Sequence, residues 1–252
     1  MVRITFKRAS DLKNLIALAS CINDEVQFNF TDNGFLVRVL DPSRVAMVSL
    51  TVDKAFLEEF DLKGQQNPTM TISLSQLERL LKGMSKNPVT LEVESNKLHI
   101  EQTKPYVRKF NMPILEPIQD EPVPEPKINY KNIIKMTVDG LRATIEDALL
   151  VSDHIKFKVT PDAFNCEIHG DLVDYNAKIQ QPSDYLLNME VGEPDATAIF
   201  SLKYLDDMTK AAIKIASIVT VKISKDMPIH LAFETPPEIQ LWYALAPRIE
   251  PE

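Results

Sequence analysis

Glycine, cysteine and long apolar runs are scarce in this chain, and each scarcity excludes a class of protein. Six glycines in 252 residues argue against a glycine-rich phosphate-binding loop. Two cysteines, Cys21 and Cys166, give no disulfide framework, which fits a reducing compartment of the cytosolic or nuclear type. No apolar run approaches the roughly 20 residues that a membrane span requires. The N-terminal stretch MVRITFKRAS alternates like a strand and lacks the apolar centre of a signal peptide.

Positive charge is also in short supply. The formal net charge is −8 at pH 7, so the overall field does not attract nucleic acid. Any contact with DNA must come from local segregation of charge. The apolar fraction of 44% and the charged fraction of 25% are typical of a soluble globular protein, and the length suffices for one large domain or two of ordinary size.

The chain does contain an internal repeat. The segment DEVQFNFTDNGFLVRV at 24–39 returns as DHIKFKVTPDAFNCEI at 153–168. In the same order, SLSQL at 73–77 returns as SLKYL at 201–205, VTLEV at 89–93 as VTVKI at 219–223, and LHI at 98–100 as IHL at 229–231. The offset between the copies drifts by only a few residues, which short loop insertions can absorb. The repeat therefore predicts two tandem copies of one domain.

Hydrophobic periodicity predicts the order helix, hairpins, helix, hairpins in each copy. Alternation indicates paired strands at 26–30 and 35–39, joined by the tight turn Asp32-Asn33-Gly34. Helical spacing relates the apolar residues of two helices in the first copy, namely Leu12, Leu15, Ile16, Ala19 and Ile22, then Leu74, Leu77, Leu81 and Met84. The corresponding residues of the second copy are Leu141, Ile145 and Leu149, then Leu205, Met208 and Ala212.

A proline-rich segment separates the copies. It reads LEPIQDEPVPEPKINY at 115–130, with prolines at 117, 122, 124 and 126. Such a segment cannot join a central strand or a helix, so we expect an extended connector. The predicted organisation is an N-terminal domain at 1–114, a connector at 115–132 and a C-terminal domain at 133–252. Composition leaves two roles open for the connector, a plain spacer or a binding segment, because it also carries apolar residues.

Sequence motifs for catalysis or metal binding are missing. Cys166 and His169 fall near the end of one predicted strand, where odd spacing puts them on opposite faces. No second pair completes a tetrahedral metal site, and neither a nucleophile elbow nor an HExxH motif occurs. The acids are scattered, so no carboxylate pair can be named. The sequence therefore predicts a binding protein with no catalytic residue, no metal and no cofactor.

Basic residues recur on the predicted helices, away from the leucine stripes. They are Lys13, Arg79, Lys82, Arg142, Lys203, Lys210 and Lys214. The same helical windows, 10–22, 73–84, 139–151 and 202–214, also hold seven acids, so their net charge is zero. A solvated face is the ordinary explanation of such a pattern. Alone, the pattern does not support a prediction of DNA binding.

Two local motifs carry a resemblance to a known family. LDPSRV at 40–45 continues into AMVSLTV, and WYALAPRIE occupies 242–250. With the duplication and the connector, the chain resembles the sliding clamps of DNA replication, the proliferating cell nuclear antigen family, and most nearly its archaeal members. One departure is Thr235-Pro236-Pro237, where relatives often carry glycines. A second departure is the unusually high proline content of the connector.

The resemblance implies an α+β fold of the DNA-clamp type, with two tandem copies of a domain in which two helices pack on antiparallel sheets. Three chains would close into a pseudo-six-fold ring, with the helices lining the hole. Subunits would join edge to edge. On one chain the edge would comprise Tyr106, Val107, Arg108, Lys109 and Phe110, and on the next Asp174, Tyr175, Asn176, Ala177, Lys178 and Ile179.

The resemblance also implies two binding surfaces. The seven basic residues would face the phosphates of duplex DNA, in contacts that are independent of sequence and sensitive to salt. A docking pocket for short helical peptides would be formed by Leu40, Arg44, Val45, Met47, Val123, Tyr130, Pro228, Tyr243, Ala246 and Pro247. For Leu40 and Met47 the alternative is simple core packing.

The function that the resemblance implies is that of a DNA polymerase processivity factor acting on chromosomal DNA in the cytoplasm. Its expected partners are duplex DNA, sister clamp subunits, the clamp loader, DNA polymerase, flap endonuclease and DNA ligase, with no membrane. Two alternatives stay open. One is a specialised subunit of a heterotrimeric clamp, and the other is a soluble enzyme with a duplicated α+β fold and an unidentified site.

Overall fold

The computed structural model describes residues 2–118, 122–170, 172–181 and 183–249. Its helices are α1 (Ala9–Ser20), α2 (Leu74–Leu81), α3 (Val138–Leu149) and α4 (Leu202–Ala212). The strands before the connector are β1 (Arg3–Phe6), β2 (Glu25–Thr31), β3 (Gly34–Leu40), β4 (Ala46–Asp53), β5 (Glu59–Asp61), β6 (Thr69–Ser73), β7 (Val89–Glu94), β8 (Lys97–Gln102) and β9 (Arg108–Pro113). Those after it are β10 (Asn132–Thr137), β11 (His154–Thr160), β12 (Ala163–His169), β13 (Asp174–Gln180), β14 (Leu186–Val191), β15 (Thr197–Ser201), β16 (Ile218–Ile223), β17 (Ile229–Phe233) and β18 (Ile239–Leu245).

The chain divides into two compact units. Unit 1 comprises residues 1–42, 48–124 and 236–240, and unit 2 comprises residues 43–47, 125–235 and 241–252. The division therefore falls inside the proline-rich connector, whereas the sequence suggested a connector separate from both domains. Each unit also includes a short segment from the other half of the chain.

Two helices pack together in unit 1 because each has one apolar face. Helix α1 buries Leu12, Leu15 and Ile16, which recur at the spacing that places residues on one side of a helix. Helix α2 is capped by Ser73, whose hydroxyl oxygen accepts a hydrogen bond from the Gln76 backbone N–H at 3.3 Å. Such a cap satisfies one of the free N–H groups at a helix start.

The strands of unit 1 form antiparallel pairs. One sheet has the order β5-β1-β7-β8-β9, and a second run has the order β4-β3-β2-β6. In the hairpin of β2 and β3, Phe30 lies opposite Phe35, and their ring centroids are 5.9 Å apart. The predicted turn is confirmed, because the chain reverses between Thr31 and Gly34, where the glycine has φ +139°.

Unit 2 repeats this architecture. Its strand orders are β14-β10-β16-β17-β18 and β13-β12-β11-β15. In the hairpin of β11 and β12, Val159 lies opposite Phe164, which is the position that Phe30 and Phe35 hold in unit 1. Helix α3 is capped by Thr137, whose hydroxyl oxygen accepts from the Gly140 N–H at 3.1 Å. The predicted tandem α+β organisation is therefore confirmed.

Some details of the predicted elements were wrong. Leu149 was expected in the buried stripe of α3, but its side chain is exposed and the stripe is completed by Ala148. Met84 is buried as expected, yet it lies beyond the end of α2 at Leu81. In both cases the chain leaves the helix near the residue in question, so the helical spacing no longer determines where the side chain points.

Candidate functional site

The helical surface of unit 1 carries unpaired positive charge. Lys13, Arg79 and Lys82 line a cleft of about 490 Å³ together with Ser75 and Glu78. Lys13 Nζ donates to the Met84 carbonyl oxygen at 2.5 Å, which holds this lysine beside the end of α2. Across the described residues, none of the three cations lies in an ion pair. The structure thus brings these three residues together on one surface.

On the helical surface of unit 2, most of the predicted DNA-facing cations are already paired. Lys203 Nζ lies 3.3 Å from Asp207 Oδ2, and Lys210 Nζ lies 2.5 Å from Asp206 Oδ2. Both pairs join residues four apart on α4, which face each other on a helix. Lys214 lies exposed just beyond α4 and has no ion-pair partner within the described parts of the chain.

Arg142 differs from the other predicted DNA-facing residues. Its side chain is only 13% exposed, and it contacts Glu146 and, at 3.7 Å, Asp206 Oδ1. Its Nη1 also lies 3.4 Å from Thr209 Oγ1. A guanidinium that is enclosed by two carboxylates is not available to a phosphate. The expectation that Arg142 faces DNA therefore does not fit this geometry, and the residue is better explained as a link between α3 and α4.

The predicted docking residues of unit 2 lie around the end of β18. The backbone N–H of Ala246 donates to the Val45 carbonyl oxygen at 2.7 Å, which brings the LDPSRV motif and the tail together. Val45 and Arg44 are exposed, and Arg44 adopts φ +60°. Tyr130, Pro228, Ala246 and Pro247 are half-buried. This part of the candidate pocket therefore offers accessible apolar surface.

Two of the predicted docking residues are buried. Tyr243 has no exposed surface, and its ring meets the edge of Phe233 at 5.8 Å between centroids. Met47 is also buried, which favours the core-packing alternative. Neither side chain can contact a peptide directly in this conformation. The expectation that Tyr243 forms part of the pocket surface is thus not supported, because successive residues of β18 point to opposite faces.

The remaining predicted docking residues belong to unit 1. Leu40 is half-buried, and its carbonyl oxygen accepts from Asn23 Nδ2 at 2.9 Å. Val123 is also half-buried, and its carbonyl oxygen accepts from Arg38 Nη1 at 3.2 Å. Both residues are thus held in place by side-chain donors of the same unit.

An aromatic stack that sequence reasoning missed lies on the other face of the same strands. The Trp242 and His230 ring centroids are 5.1 Å apart, and those of His230 and Tyr130 are 5.9 Å apart. The alternation of β18 was the available signal, since Trp242 and Tyr243 must face opposite ways. Burial, with a smaller effect of Lys222, lowers the pKa of His230 to about 4, and burial raises the pKa of Tyr130 to about 12. Both rings are therefore uncharged near neutral pH.

The two predicted interface strands lie at sheet edges. β9 ends the five-stranded sheet of unit 1, and β13 ends the four-stranded sheet of unit 2. Before β9, Tyr106 and Val107 are exposed, and the Arg108 guanidinium lies 4.5 Å from the centroid of the Tyr106 ring. The other predicted interface residues lie in these strands: Arg108, Lys109 and Phe110 in β9, and Asp174, Tyr175, Asn176, Ala177, Lys178 and Ile179 in β13.

Exposed apolar side chains directly precede β13, at Leu172 and Val173, and another, Leu150, follows α3. Leu172 is 97% exposed, Val173 60% and Leu150 85%. Large apolar groups at such exposure beside a free strand edge indicate a surface that another protein chain covers.

Within residues 2–118, 122–170, 172–181 and 183–249, no group of three His, Cys, Asp or Glu side chains is placed to hold a metal ion. Cys166 is buried, whereas His169 on the same strand is exposed, as the alternation predicted. None of the described helices is long and apolar enough to cross a membrane.

Together these features define a class of protein: a tandem α+β chain in which each of two repeated units packs two helices on antiparallel strands and offers an open sheet edge. The model of the proliferating cell nuclear antigen N-terminal domain matches residues 1–105, and that of the C-terminal domain matches residues 124–248. The chain belongs to the proliferating cell nuclear antigen family.

Curated archaeal proteins resemble the chain over nearly its whole length. It is 31% identical to the "DNA polymerase sliding clamp 1" of Pyrobaculum aerophilum, and the match covers 98% of each chain. It is 29% identical to the "DNA polymerase sliding clamp" of Pyrococcus abyssi, again over 98% of each. The first of these relatives and the two family models independently indicate the same family.

Solved structures share the fold. PCNA from Thermococcus kodakaraensis matches with a TM-score of 0.89 at 22% identity, over 98% of this chain and 100% of that one. A complex described as the C-terminal region of FEN-1 bound to A. fulgidus PCNA matches with a TM-score of 0.86 at 24% identity, over 100% of both chains. A PCNA2–PCNA3 complex from Sulfolobus tokodaii matches with a TM-score of 0.85 at 21% identity, over 98% of this chain and 100% of that one.

Proposed function

We propose that this chain is a subunit of a trimeric sliding clamp, a non-catalytic processivity factor that encircles duplex DNA. It would act on chromosomal DNA in the cytoplasm and tether DNA polymerase, flap endonuclease and DNA ligase after a clamp loader has placed it there. Family membership supports the clamp function. The observation that carries the ring is the pair of open edges, β9 in unit 1 and β13 in unit 2.

The two edges favour a head-to-tail assembly. An unpaired edge presents a row of N–H and C=O groups that another strand can pair with. Because β9 and β13 belong to different units of one chain, joining β9 of one copy to β13 of the next makes a heterologous contact. Such contacts close into a ring when the rotation per subunit fits. The exposed Tyr106, Val107, Leu172 and Val173 would be covered in that contact.

Phosphate contacts would come mainly from the unpaired cations. Lys13, Arg79 and Lys82 in unit 1, and Lys214 in unit 2, have no carboxylate partner among the described residues. A lysine or arginine that contacts a phosphate carries no sequence information, so the ring could move along the duplex. Lys203 and Lys210 could contribute after exchanging their carboxylate partners for phosphates.

Peptide docking would use the accessible part of the candidate pocket. We assign to it the accessible residues of unit 2, which are Arg44, Val45, Tyr130, Pro228, Ala246 and Pro247. Leu40 and Val123 of unit 1 are further docking candidates that the family resemblance implies. A relative of the same fold has been solved with the C-terminal region of FEN-1 bound. We propose that this chain docks peptides of the same kind, through a few aliphatic and aromatic anchors.

Assembly is the first test of the proposal. Size-exclusion chromatography with light scattering should give a trimer, either alone or after mixing with sister chains from the same source. Val173→Asp should reduce assembly, because it places a charge in the covered edge. Met227→Asp, at an exposed position between β16 and β17, is the matched control and should assemble like the parent. A chain that stays monomeric alone and with every sister chain would overturn the ring.

Peptide binding is the second test. A synthetic peptide corresponding to the C-terminal region of A. fulgidus FEN-1 should bind with a Kd on the order of micromolar, about −8 kcal/mol. Val45→Asp should weaken it at least tenfold because Val45 is exposed beside Ala246. Leu187→Asp, at an exposed position of β14 that is not among the docking residues, is the control here. Equal titration curves for Val45→Asp and for Leu187→Asp would remove the pocket assignment.

A further inference from the structure

The connector is attached to unit 1 by side chains as well as by backbone. Where it begins, the Leu115 backbone N–H donates to the Thr71 carbonyl oxygen at 2.8 Å. Further along, the Ile118 N–H donates to Gln27 Oε1 at 2.9 Å, and Arg38 Nη1 donates to the Val123 carbonyl oxygen at 3.2 Å. The two side-chain contacts therefore hold the connector on either side of residues 119–121.

Gln27 is fixed in the orientation that this contact needs. It is only 4% exposed, and a buried amide is costly unless its polar atoms are paired. Its Nε2 donates to Asn29 Oδ1 at 3.0 Å, while its Oε1 also accepts from Thr71 Oγ1 at 3.4 Å. The amide nitrogen is thus turned towards β2 and the oxygen towards the connector.

Arg38 is held in a similar way. Its Nε donates to Ser49 Oγ at 3.0 Å, and Ser49 is itself 2% exposed on the neighbouring strand. Because the guanidinium is planar and rigid, fixing Nε also fixes the direction of Nη1. The Val123 carbonyl oxygen lies in that direction. A flexible surface arginine would not be anchored at two points.

The proline content of the connector explains why side chains are needed. Prolines at 117, 122, 124 and 126 have no N–H, so this segment cannot be held by a regular strand ladder. A few remaining N–H and C=O groups must then carry all of its hydrogen bonds to the body of unit 1. Gln27 supplies an acceptor for one of them and Arg38 a donor for another.

We propose that Gln27 and Arg38 form a two-point latch that positions the connector for peptide docking. The peptide part of this inference rests on the proposed function, because Val123 is one of the docking candidates named there. Both residues are positioning residues that act through the connector backbone. Releasing either point lets the connector sample other conformations, and a peptide must then reorder it at an entropic cost.

Hydrogen exchange tests the latch without any partner. In Gln27→Met, which keeps the size and removes the acceptor, the Ile118 amide should exchange at least fivefold faster, the factor expected for one lost hydrogen bond. In Arg38→Ala, cleavage of the connector by a non-specific protease should accelerate by about tenfold, since a charged hydrogen bond is stronger. Arg38→Lys, which retains a donor, should restore part of the protection.

Lys54→Ala is the matched control. Lys54 Nζ donates to the Asp32 carbonyl oxygen at 2.8 Å, so this variant also removes a cation-to-carbonyl contact in unit 1, but away from the connector. It should leave connector exchange and cleavage unchanged. The latch is overturned if Gln27→Met and Arg38→Ala accelerate exchange in β2 and β3 as much as in the connector. It is also overturned if both variants leave the connector as protected as Lys54→Ala does.

Peptide titration then separates the latch from the proposed function. With the FEN-1 C-terminal peptide as probe, Gln27→Met and Arg38→Ala should weaken binding about fivefold to tenfold, and Lys54→Ala should not. Unchanged affinity in both variants despite faster connector exchange would overturn the positioning role. If the parent chain binds no such peptide, the proposed docking function fails, while the exchange data still decide whether the latch exists.

Discussion

The two units share one architecture but use positive charge on their helices differently. In unit 1, Lys13, Arg79 and Lys82 lie along a cleft without carboxylate partners among the described residues. In unit 2, Lys203 and Lys210 each contact an aspartate one turn away on α4. The apolar residues that determine the fold recur in both copies, whereas the surface charges have diverged. Most surface substitutions change stability by less than about 0.5 kcal/mol, so stability does not oppose such divergence.

This difference predicts unequal roles for the two helical surfaces. An exposed ion pair is worth about 1 kcal/mol or less, so a phosphate can displace the aspartate from Lys203. Because the ion pair with the aspartate is then lost, the net gain in binding free energy is smaller than for an unpaired cation. Unit 1 therefore should supply most of the attraction to DNA. The two units also differ at two other repeated positions. One is the turn of the first hairpin, with Gly34 in unit 1 and Ala163 in unit 2, and the other is the histidine of the last hairpin, His99 in unit 1 and His230 in unit 2.

The hairpin turns differ at one residue. Gly34 in unit 1 and Ala163 in unit 2 hold the same position opposite a threonine. Gly34 has φ +139°, and a Cβ built on it would lie 2.0 Å from the Val52 carbonyl oxygen. Ala163 has a buried methyl group at the equivalent place. The turn of unit 1 therefore requires glycine, and the turn of unit 2 does not.

The largest expected effect concerns these turns. Gly34→Ala should lower the free energy of unfolding by about 3 kcal/mol or more, because the methyl group meets backbone that cannot easily move. Ala163→Gly should cost only about 1 kcal/mol, mainly through chain entropy. Urea denaturation at one fixed protein concentration measures both. Equal losses in the two variants would mean that the turns do not differ as described.

The second prediction concerns the two histidines at the repeated position, His99 in unit 1 and His230 in unit 2. His99 contacts Asn111 Oδ1 at 2.6 Å, whereas His230 is stacked between Tyr130 and Trp242. Burial, with a smaller effect of Lys222, lowers the pKa of His230 to about 4, below the value of about 6.5 in an unfolded chain. As the pH falls from 6.5 to 4, the unfolded chain therefore binds a proton first. Stability should fall over this range by up to about 3 kcal/mol.

Denaturation at a series of pH values checks this prediction. His230→Leu should flatten the stability profile between pH 6.5 and 4. His99→Leu is the matched variant at the repeated position and should keep the slope of the parent. If both variants keep it, the acid sensitivity comes from groups other than His230.

The third prediction concerns unpaired and paired lysines. Lys82→Glu should reduce the affinity of the assembled protein for duplex DNA by about threefold to tenfold and lower the salt slope by about one. Lys203→Glu should have less effect, because the Lys203 charge is already shared with Asp207. Fluorescence anisotropy over a range of salt concentrations measures both. A larger effect at Lys203 would reverse the assignment of roles.

The smallest expected effect comes from unpairing the cations of unit 2. Asp206→Asn should free Lys210 and one side of Arg142, and DNA affinity should rise by about twofold. Its cost in stability should be about 1 kcal/mol, since Asp206 is buried and Arg142 loses one of its two carboxylates. Asp207→Asn, which frees the exposed Lys203, should raise affinity similarly at a smaller cost. No rise in either variant would show that pairing does not limit the contribution of unit 2.

Much of the fold could be predicted because the repeat records the buried positions twice. Phe28 and Phe157 recur in one register, and both are buried. Strands such as β14 were not predicted. Its burial pattern does not alternate, and it is held by pairing with β10, which is a long-range contact. Local periodicity contains no information about such a partner.

The candidate site was less predictable because it, too, depends on contacts between residues that are distant in sequence. The sequence identified Arg142 as a cation but not the carboxylates of Glu146 and Asp206 that enclose it. Gln27 and Arg38 looked like ordinary polar residues of a strand face, because their contacts with residues 118 and 123 depend on where the connector runs. The alternation of side chains along β18 would by itself have assigned Tyr243 to the core and Trp242 to the opposite face of the strand.

The exchanged segments have a consequence for dissecting this protein. Unit 1 includes residues 236–240, and unit 2 includes residues 43–47, so each is completed by a peptide from beyond the proline-rich stretch. If residues 1–124 and 125–252 were expressed as separate polypeptides, each would lack a short segment of its own unit. A protease nick near Pro124 should instead yield two fragments that stay together until denaturant is added, and reconstitution after mixing should require both.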